Sequence, residues 1–295
     1  MSKVAILGAG AIGCIYGARL SNLERHDVTF CVRQTFEKLH IETPSGIIEA
    51  PARCITDPVE AGPAEWIILA VKCHQIKDVD NWLRALAGPG SIIAVLQNGV
   101  EHIENTTPHA YGARVLPVVV QCPADRLAPG RVRQNAMSNL LAPATEDGHA
   151  LETLFEGSDI GVKTTPDFVT AKWLKLCGNI SRNPATALTG RGRGVVRAPG
   201  VAEFCRALVE ECAAVGRAEG ANLPENIAEE ITQSQFTSGF DQTTSMLVDV
   251  RAGIPLEADG MTGAVVRIGE RHGIETPVNK YVTALLSAIN TQDVD

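Results

Sequence analysis

The chain has 295 residues, 45% of them hydrophobic and 20% charged, a globular composition long enough for two domains. A formal net charge of −8 argues against nucleic acid and anionic membrane surfaces as partners. No apolar run approaches the roughly 20 residues of a membrane span, and the N-terminus lacks a basic stretch followed by an apolar one, so a cytoplasmic protein without a signal peptide is expected.

The chain opens on a short apolar strand, Lys3–Leu7, followed by Gly8-Ala9-Gly10-Ala11-Ile12-Gly13, with Gly17 one helical turn later. Strand, glycine-rich turn and helix start in that order form a dinucleotide-binding fingerprint, GxGxxG. Gly8 permits the tight turn, Gly10 lets a pyrophosphate approach the backbone, and Gly13 lets the helix pack close to the strand. The N–H groups and positive dipole end at Ala11, Ile12 and Gly13 would face the phosphates. The plainer alternative is a glycine-rich turn that binds nothing. Apolar Ile12, Ile15, Tyr16, Leu20 and Leu23 recur at helical spacing over residues 10–23.

Asp27–Val32 reads as the second strand. A carboxylate at its end would bond the ribose 2′-hydroxyl of NAD, but Arg33 stands there and no acid occurs until Glu37. A cation suits a 2′-phosphate, which favours NADP(H); the alternative is an arginine directed into solvent. Residues 36–55 read as a small irregular or β insertion. Trp66–Val71 and Ser91–Leu96 are continuous apolar runs, as in parallel strands buried on both faces, with a helix over Ile76–Leu86 between them. Val115–Val120 is a further strand, so residues 1–120 alternate as in a doubly wound sheet. Arg131–Gln134, Asn139–Ala142 and Ile160–Val162 read as short extensions of that sheet.

After Pro166 the pattern becomes all-helical, with helices expected at about 168–183, 201–219, 224–235, 241–252, 256–272 and 277–290. Gly220 is placed to cap the second of these. The expected organisation is a dinucleotide-binding Rossmann-type domain over 1–167 and an all-helical substrate domain over 168–295. The eight cysteines form no CxxC pair and read as small hydrophobes in a reducing compartment, and the seven histidines show no metal-ligand spacing, so no metal is expected.

Ligands of open α/β sheets lie at the carboxyl ends of the strands, where Lys72 and Asn98 follow two of the apolar runs. Lys72 is equally a solvated strand end, and Asn98-Gly99 an ordinary turn pair. Lys175, Asn179 and Asn183 recur every four residues, one stripe of a helix that Pro184 ends or kinks. Asparagine is a poor interior helix residue, so two of them in line with a lysine suggest a polar pocket wall, against a solvated stripe. Ser245 falls near the first turn of the 241–252 helix. Glu257 opens the next helix, where the dipole favours its ionised form and a structural role suffices to explain it. Arg191–Gly194 reads as a solvated basic loop.

Taken in order, the GxGxxG turn, Val71-Lys72, Gln97–Gly99, the K-x₃-N-x₃-NP of Lys175–Pro184 and the S-M-L-x-D-x₇-E of Ser245–Glu257 make the chain resemble the ketopantoate reductase (2-dehydropantoate 2-reductase) family over nearly its whole length. The resemblance implies NADPH-dependent reduction of ketopantoate to (R)-pantoate, on the route to pantothenate and coenzyme A. It implies Lys175 as general acid and Glu257 as the carboxylate that holds the lysine and substrate. It further implies substrate contacts from Asn98, Asn179, Asn183 and Ser245, and cofactor contacts from the Gly8–Gly13 turn, Arg33, Lys72 and Asn98. The expected partners are a small 2-oxo acid and, in assembly, a second copy as homodimer. Thr189–Pro199 departs from the leucine- and acid-rich stretch usual there, and Arg131–Ala142 lacks the family's glycine- and threonine-rich stretch. Other classes on such a scaffold are a D-2-hydroxyacid dehydrogenase and a non-catalytic dinucleotide-binding protein.

Overall fold

A computed structural model describes residues 1–237 and 242–290. The chain divides into two compact units, Met1–Gln97 with Glu101–Phe168, and Asn98–Val100 with Val169–Asp295.

The first unit is built on six parallel strands: β1 (Ser2–Leu7), β2 (His26–Cys31), and then β5 (Arg53–Ile55), β6 (Trp66–Leu69), β7 (Ile92–Val95) and β8 (Arg114–Pro117), in the order β5-β2-β1-β6-β7-β8. Val4 and Ile6 enter a core shared with Ile15 and Tyr16 of helix α1 (Ala11–Asn22), while Ala5 and Leu7 enter one shared with Leu83 and Leu86 of α2 (Asp80–Leu86). That burial of both faces is why the strands read as unbroken apolar runs.

The stretch 36–55 forms a hairpin, β3 (Lys38–Thr43) with β4 (Gly46–Pro51), before β5 joins the main sheet. The later strands correct an expectation, because they do not extend the main sheet. β10 (Ala124–Ala128) and β11 (Arg131–Gln134) pair beside β3 in a four-stranded sheet. β9 (Val119–Gln121), β12 (Asn139–Pro143) and β13 (Gly161–Thr165) form a three-stranded one. Val115–Val120 is therefore two strands in two sheets. The break follows Pro117, which has no N–H to give a ladder. Helix α3 (His102–Thr106) is short. Helix α4 (Glu146–Phe155), absent from the sequence reading, is signalled by Thr145, whose Oγ1 accepts the Gly148 N–H at 3.3 Å, and by the acids Glu146 and Asp147 in its first turn.

The second unit is helical: α5 (Phe168–Ile180), α6 (Asn183–Thr189), α7 (Val201–Ala218), α8 (Ile227–Gln235), α9 (Ser245–Arg251), α10 (Ala264–His272) and α11 (Pro277–Asn290). Its core gathers Trp173, Leu208, Cys212, Val215 and Val265 around Val100 from the 98–100 segment. Gly220, at φ +88°, ends α7, with the Ala221 N–H returning to the Gly216 carbonyl as a C-terminal cap requires. Two helix expectations change. The segment expected over 168–183 stops at Ile180, the residue whose carbonyl the ring of Pro184 would strike in a continuous helix. The 256–272 segment becomes a π-helical turn, Asp259–Gly263, followed by α10. Of the helix expected over 241–252, Asp241 lies outside the described residues. Among the described residues, no helix is long and apolar enough to cross a membrane.

None of the eight cysteines is in a disulfide. Burial pushes the thiols of Cys14 and Cys31 up to about 12 and that of Cys205 to about 11. Burial also raises Cys212, whose Sγ lies 3.5 Å from that of Cys177. Thiolates are the reactive species. Iodoacetamide at pH 8 is therefore expected to leave Cys14, Cys31, Cys205 and Cys212 unlabelled in the folded protein and to label all eight cysteines in urea, as read by peptide mass mapping.

Candidate active site

In the helical unit, Glu257 is buried with its carboxylate inside the fold. The Asn98 amide donates to its Oε2 at 3.0 Å, and the Asn179 amide donates to Oδ1 of Asn98 at 3.4 Å. Two carboxamides and a carboxylate thus form one chain with a single donor direction, ending on the acid. Lys175 stands one turn before Asn179 on α5, so the two side chains share a face.

Asn98 is held by its neighbours. Val100 is buried in the helical core, and the Lys172 ammonium donates to its carbonyl at 3.3 Å. Gly99 has φ +104°, and a Cβ there would come 2.6 Å from the carbonyl oxygen of Gly260. Gly260 belongs to the π-helical turn that follows Glu257, where the Gly263 N–H reaches back five residues to the Ala258 carbonyl at 3.0 Å. The Asn98-Gly99 pair, read from sequence as an ordinary turn, is therefore a close backbone packing that sets Asn98 against Glu257. The contact of Gly99 with Gly260 has no local sequence signal.

Asn183 corrects the expected stripe. It is the first residue of α6 and does not lie on the helix of Lys175 and Asn179. Its buried Oδ1 accepts the Met246 N–H at 3.3 Å and the Ser245 hydroxyl at 3.4 Å. Asn183 therefore secures the start of α9, together with Thr244, whose Oγ1 accepts the Leu247 N–H and lies 2.6 Å from that of Thr186. Among the described residues the Asn183 amide nitrogen donates to none. Ser245 is exposed at the first position of α9. The structure thus brings the second-unit residues into two groups: Asn98, Asn179 and Glu257, and Asn183 with Ser245.

In the first unit, the turn after β1 has the tight geometry expected of it. Gly8 has φ +104° and packs so closely that a Cβ would lie 2.7 Å from the Val71 nitrogen, and a Cβ on Gly13 would drive into the Gly8 carbonyl oxygen. Gly10 differs, because a Cβ there would meet nothing within 4 Å. It is the N-cap of α1, has no side-chain capping bond, and is followed by a first turn without an acid. The N–H groups of Ala11, Ile12 and Gly13 are the helix's unsatisfied donors. Lys72 opens the 3₁₀ turn Cys73–Gln75 after β6, its N–H accepted by Gln75 Oε1 at 3.2 Å. Arg33 lies exposed two residues beyond β2 and forms no ion pair among the described residues.

Residues 4–146 match the family described as "Ketopantoate reductase PanE/ApbA", and residues 167–290 match its C-terminal counterpart. The chain belongs to the ketopantoate reductase family. It is 38% identical to a 2-dehydropantoate 2-reductase of Caulobacter vibrioides, over 98% of this chain and 99% of the relative. It is 34% identical to one of Mycobacterium tuberculosis, over 97% of each. The crystal structure of a ketopantoate reductase family protein of Ralstonia eutropha JMP134 superposes with a TM-score of 0.88 at 31% identity, covering 98% of both chains. Enzymes of the ketopantoate reductase family are NADP-dependent oxidoreductases acting on CH–OH groups.

The first unit fits such a cofactor. Open space at Gly10, three unsatisfied helix donors and the absence of an acid in the first turn of α1 suit a pyrophosphate. The unpaired Arg33 suits a 2′-phosphate. Two glycine variants separate binding from folding. Gly10→Ala fills open space at an ordinary φ of −76° and should leave Tm unchanged while weakening NADPH binding about ten- to a hundredfold. Gly99→Ala meets a backbone carbonyl in the left-handed region and should cost roughly 2–4 kcal/mol of stability. Calorimetric melting with NADPH titration of both proteins checks the pair.

Proposed function

We propose that this chain reduces ketopantoate to pantoate with NADPH, using Lys175 as general acid. The arrangement that carries the residue roles is the hydrogen-bonded chain Asn179–Asn98–Glu257, half-buried at the asparagines and buried at the acid, one helical turn from Lys175. The 2-dehydropantoate 2-reductase relatives matched over nearly the full chain support the substrate. Unbridged thiols throughout support a cytoplasmic site of action.

When bound at the glycine turn, NADPH supplies the hydride that converts the C2 carbonyl of the 2-oxo acid to an alcohol. The protein supplies the matching proton. Lys175, in its ammonium form, stabilises the negative charge that develops on the carbonyl oxygen and gives that oxygen its proton. Desolvation of a lysine favours the neutral amine, and the carboxylate of Glu257 offsets this by favouring the charged form. Asn98 fixes Glu257, and Asn179, by donating to Asn98, fixes the amide orientation in turn. The carboxamide of Asn183 and the hydroxyl of Ser245 orient the substrate from the other group. Gly10, Ala11, Ile12 and Gly13 hold the pyrophosphate, and Lys72, Asn98 and Arg33 complete the cofactor contacts, Arg33 at the 2′-phosphate.

Lys175→Ala is expected to lower kcat by roughly 10²–10⁴ while the protein stays folded and still binds NADPH. Steady-state kinetics with ketopantoate would return near-wild-type kcat if another group donates the proton. Arg33→Ala should raise KM for NADPH about tenfold or more and leave KM for NADH in place, because only NADPH carries the phosphate that the guanidinium contacts. Parallel titration with the two cofactors reads this directly.

A further inference from the structure

Two threonines of the helical unit, Thr186 on α6 and Thr244 just before α9, are buried against each other and have no role in the reaction as described. Their hydroxyl oxygens lie 2.6 Å apart. Thr186 Oγ1 also lies 3.0 Å from the Asn183 carbonyl oxygen and 3.1 Å from that of Arg182. Thr244 Oγ1 accepts the Leu247 N–H at 3.3 Å.

Each of these bonds has an ordinary local reading. A helical threonine can bond a carbonyl three or four residues back, and threonine is a common helix N-cap. Their meeting is not local, because 58 residues separate the two. Proton counting then fixes every direction. A carbonyl only accepts, and a hydroxyl has one proton to give. Among the described residues Thr244 Oγ1 has no acceptor but Thr186, so its proton goes there, and the Thr186 proton goes to the carbonyls. One relay therefore runs from the Leu247 N–H through Thr244 and Thr186 to the Asn183 carbonyl.

A second bond closes the circuit. The Met246 N–H donates to Asn183 Oδ1 at 3.3 Å, and only the oxygen of a carboxamide can take an N–H. The start of α9 is thus tied to Asn183 twice, to its side chain directly and to its backbone through two hydroxyls. The approach to α9 is held as well. Arg193, in the basic stretch that reads from sequence as a solvated loop, is half-buried, and it donates its N–H to the Gln242 carbonyl at 3.0 Å and Nη1 to Gln242 Oε1 at 2.7 Å.

Helices α6 and α9 are seven residues each, too short to fix their own ends. Stability alone does not call for hydroxyls between them. A valine fills the space of a threonine, and apolar groups in place of two bonded hydroxyls are close to neutral for folding. What a fully satisfied buried network adds is a single arrangement.

We propose that Thr186 and Thr244 are positioning residues, whose hydroxyl relay sets the start of α9 so that Ser245 stands in register with Asn183 for the substrate. This rests on the reductase reading, in which Asn183 and Ser245 orient the 2-oxo acid.

Thr186→Val removes the relay and keeps the volume. It should lower kcat/KM for ketopantoate about tenfold, through KM, and leave KM for NADPH in place, while Thr186→Ser recovers most of the loss. A double-mutant cycle separates positioning from general loosening. In a Ser245→Ala background Thr186→Val should cost less than about twofold more, because the group it positions is already gone. An equal loss in both backgrounds, an unchanged kcat/KM in Thr186→Val, no recovery in Thr186→Ser, or a parallel rise in KM for NADPH overturns the proposal. If Thr186→Val does not fold, Thr186→Cys carries the same comparisons, a thiol being a weak donor. A second arm does not depend on turnover. Amide hydrogen exchange at Leu247, followed by NMR on the full chain, should be about tenfold faster in Thr186→Val than in the wild type and return in Thr186→Ser. Unchanged exchange overturns the relay. If the wild type reduces no ketopantoate but exchange behaves as expected, the reductase reading fails and the relay stands.

Discussion

A carboxylate inside a protein must be met by hydrogen-bond donors or neutralised, and Glu257 is such a carboxylate. Much of the helical unit's geometry follows from that need. One donor comes from Asn98, a residue 159 positions away in the chain. Bringing it there takes a glycine at 99 in a left-handed conformation against Gly260, a valine at 100 buried in the helical core, and a π-helical turn after Glu257. Each of these is a local departure from regular structure, and together they leave one amide orientation for Asn98 and, through it, for Asn179. Positions that break local rules in this way commonly mark functional sites.

The two units solve different electrostatic problems. The glycine turn in the first has no charged side chain at its centre, and what it presents there is backbone donors and open space at Gly10. The second buries a carboxylate, Glu257, and meets it with the Asn98 amide, to which Asn179 donates in turn.

Much of the fold was legible in the sequence because burial leaves periodic traces. The runs Lys3–Leu7, Trp66–Val71 and Ser91–Leu96 mark strands covered on both faces; Pro184 signalled a helix end, though α5 stops at Ile180, short of the expected 183. The smaller sheets were not legible, because short strands such as Arg131–Gln134 give the same pattern whichever sheet they join. Of the site, the glycine turn and the Lys175–Asn179 spacing were readable, both being local. The structural role of Asn183 was not, since it depends on α9 arriving from 62 residues away. Nor was the anchoring of Arg193, which depends on Gln242, 49 residues away.

The sequence by itself determined the parts of this protein whose physics is local: which segments are apolar on two faces, where a glycine must stand to let a helix start pack on a strand, and where a proline must end a helix. The ordered motifs also carried the family resemblance. Only the tertiary structure decided which carboxamide meets Glu257, which asparagine spends its oxygen on a helix start, and which basic residues are half-buried rather than solvated. Those outcomes depend on desolvation and on donors supplied across long stretches of chain, and neither quantity exists until the chain has folded.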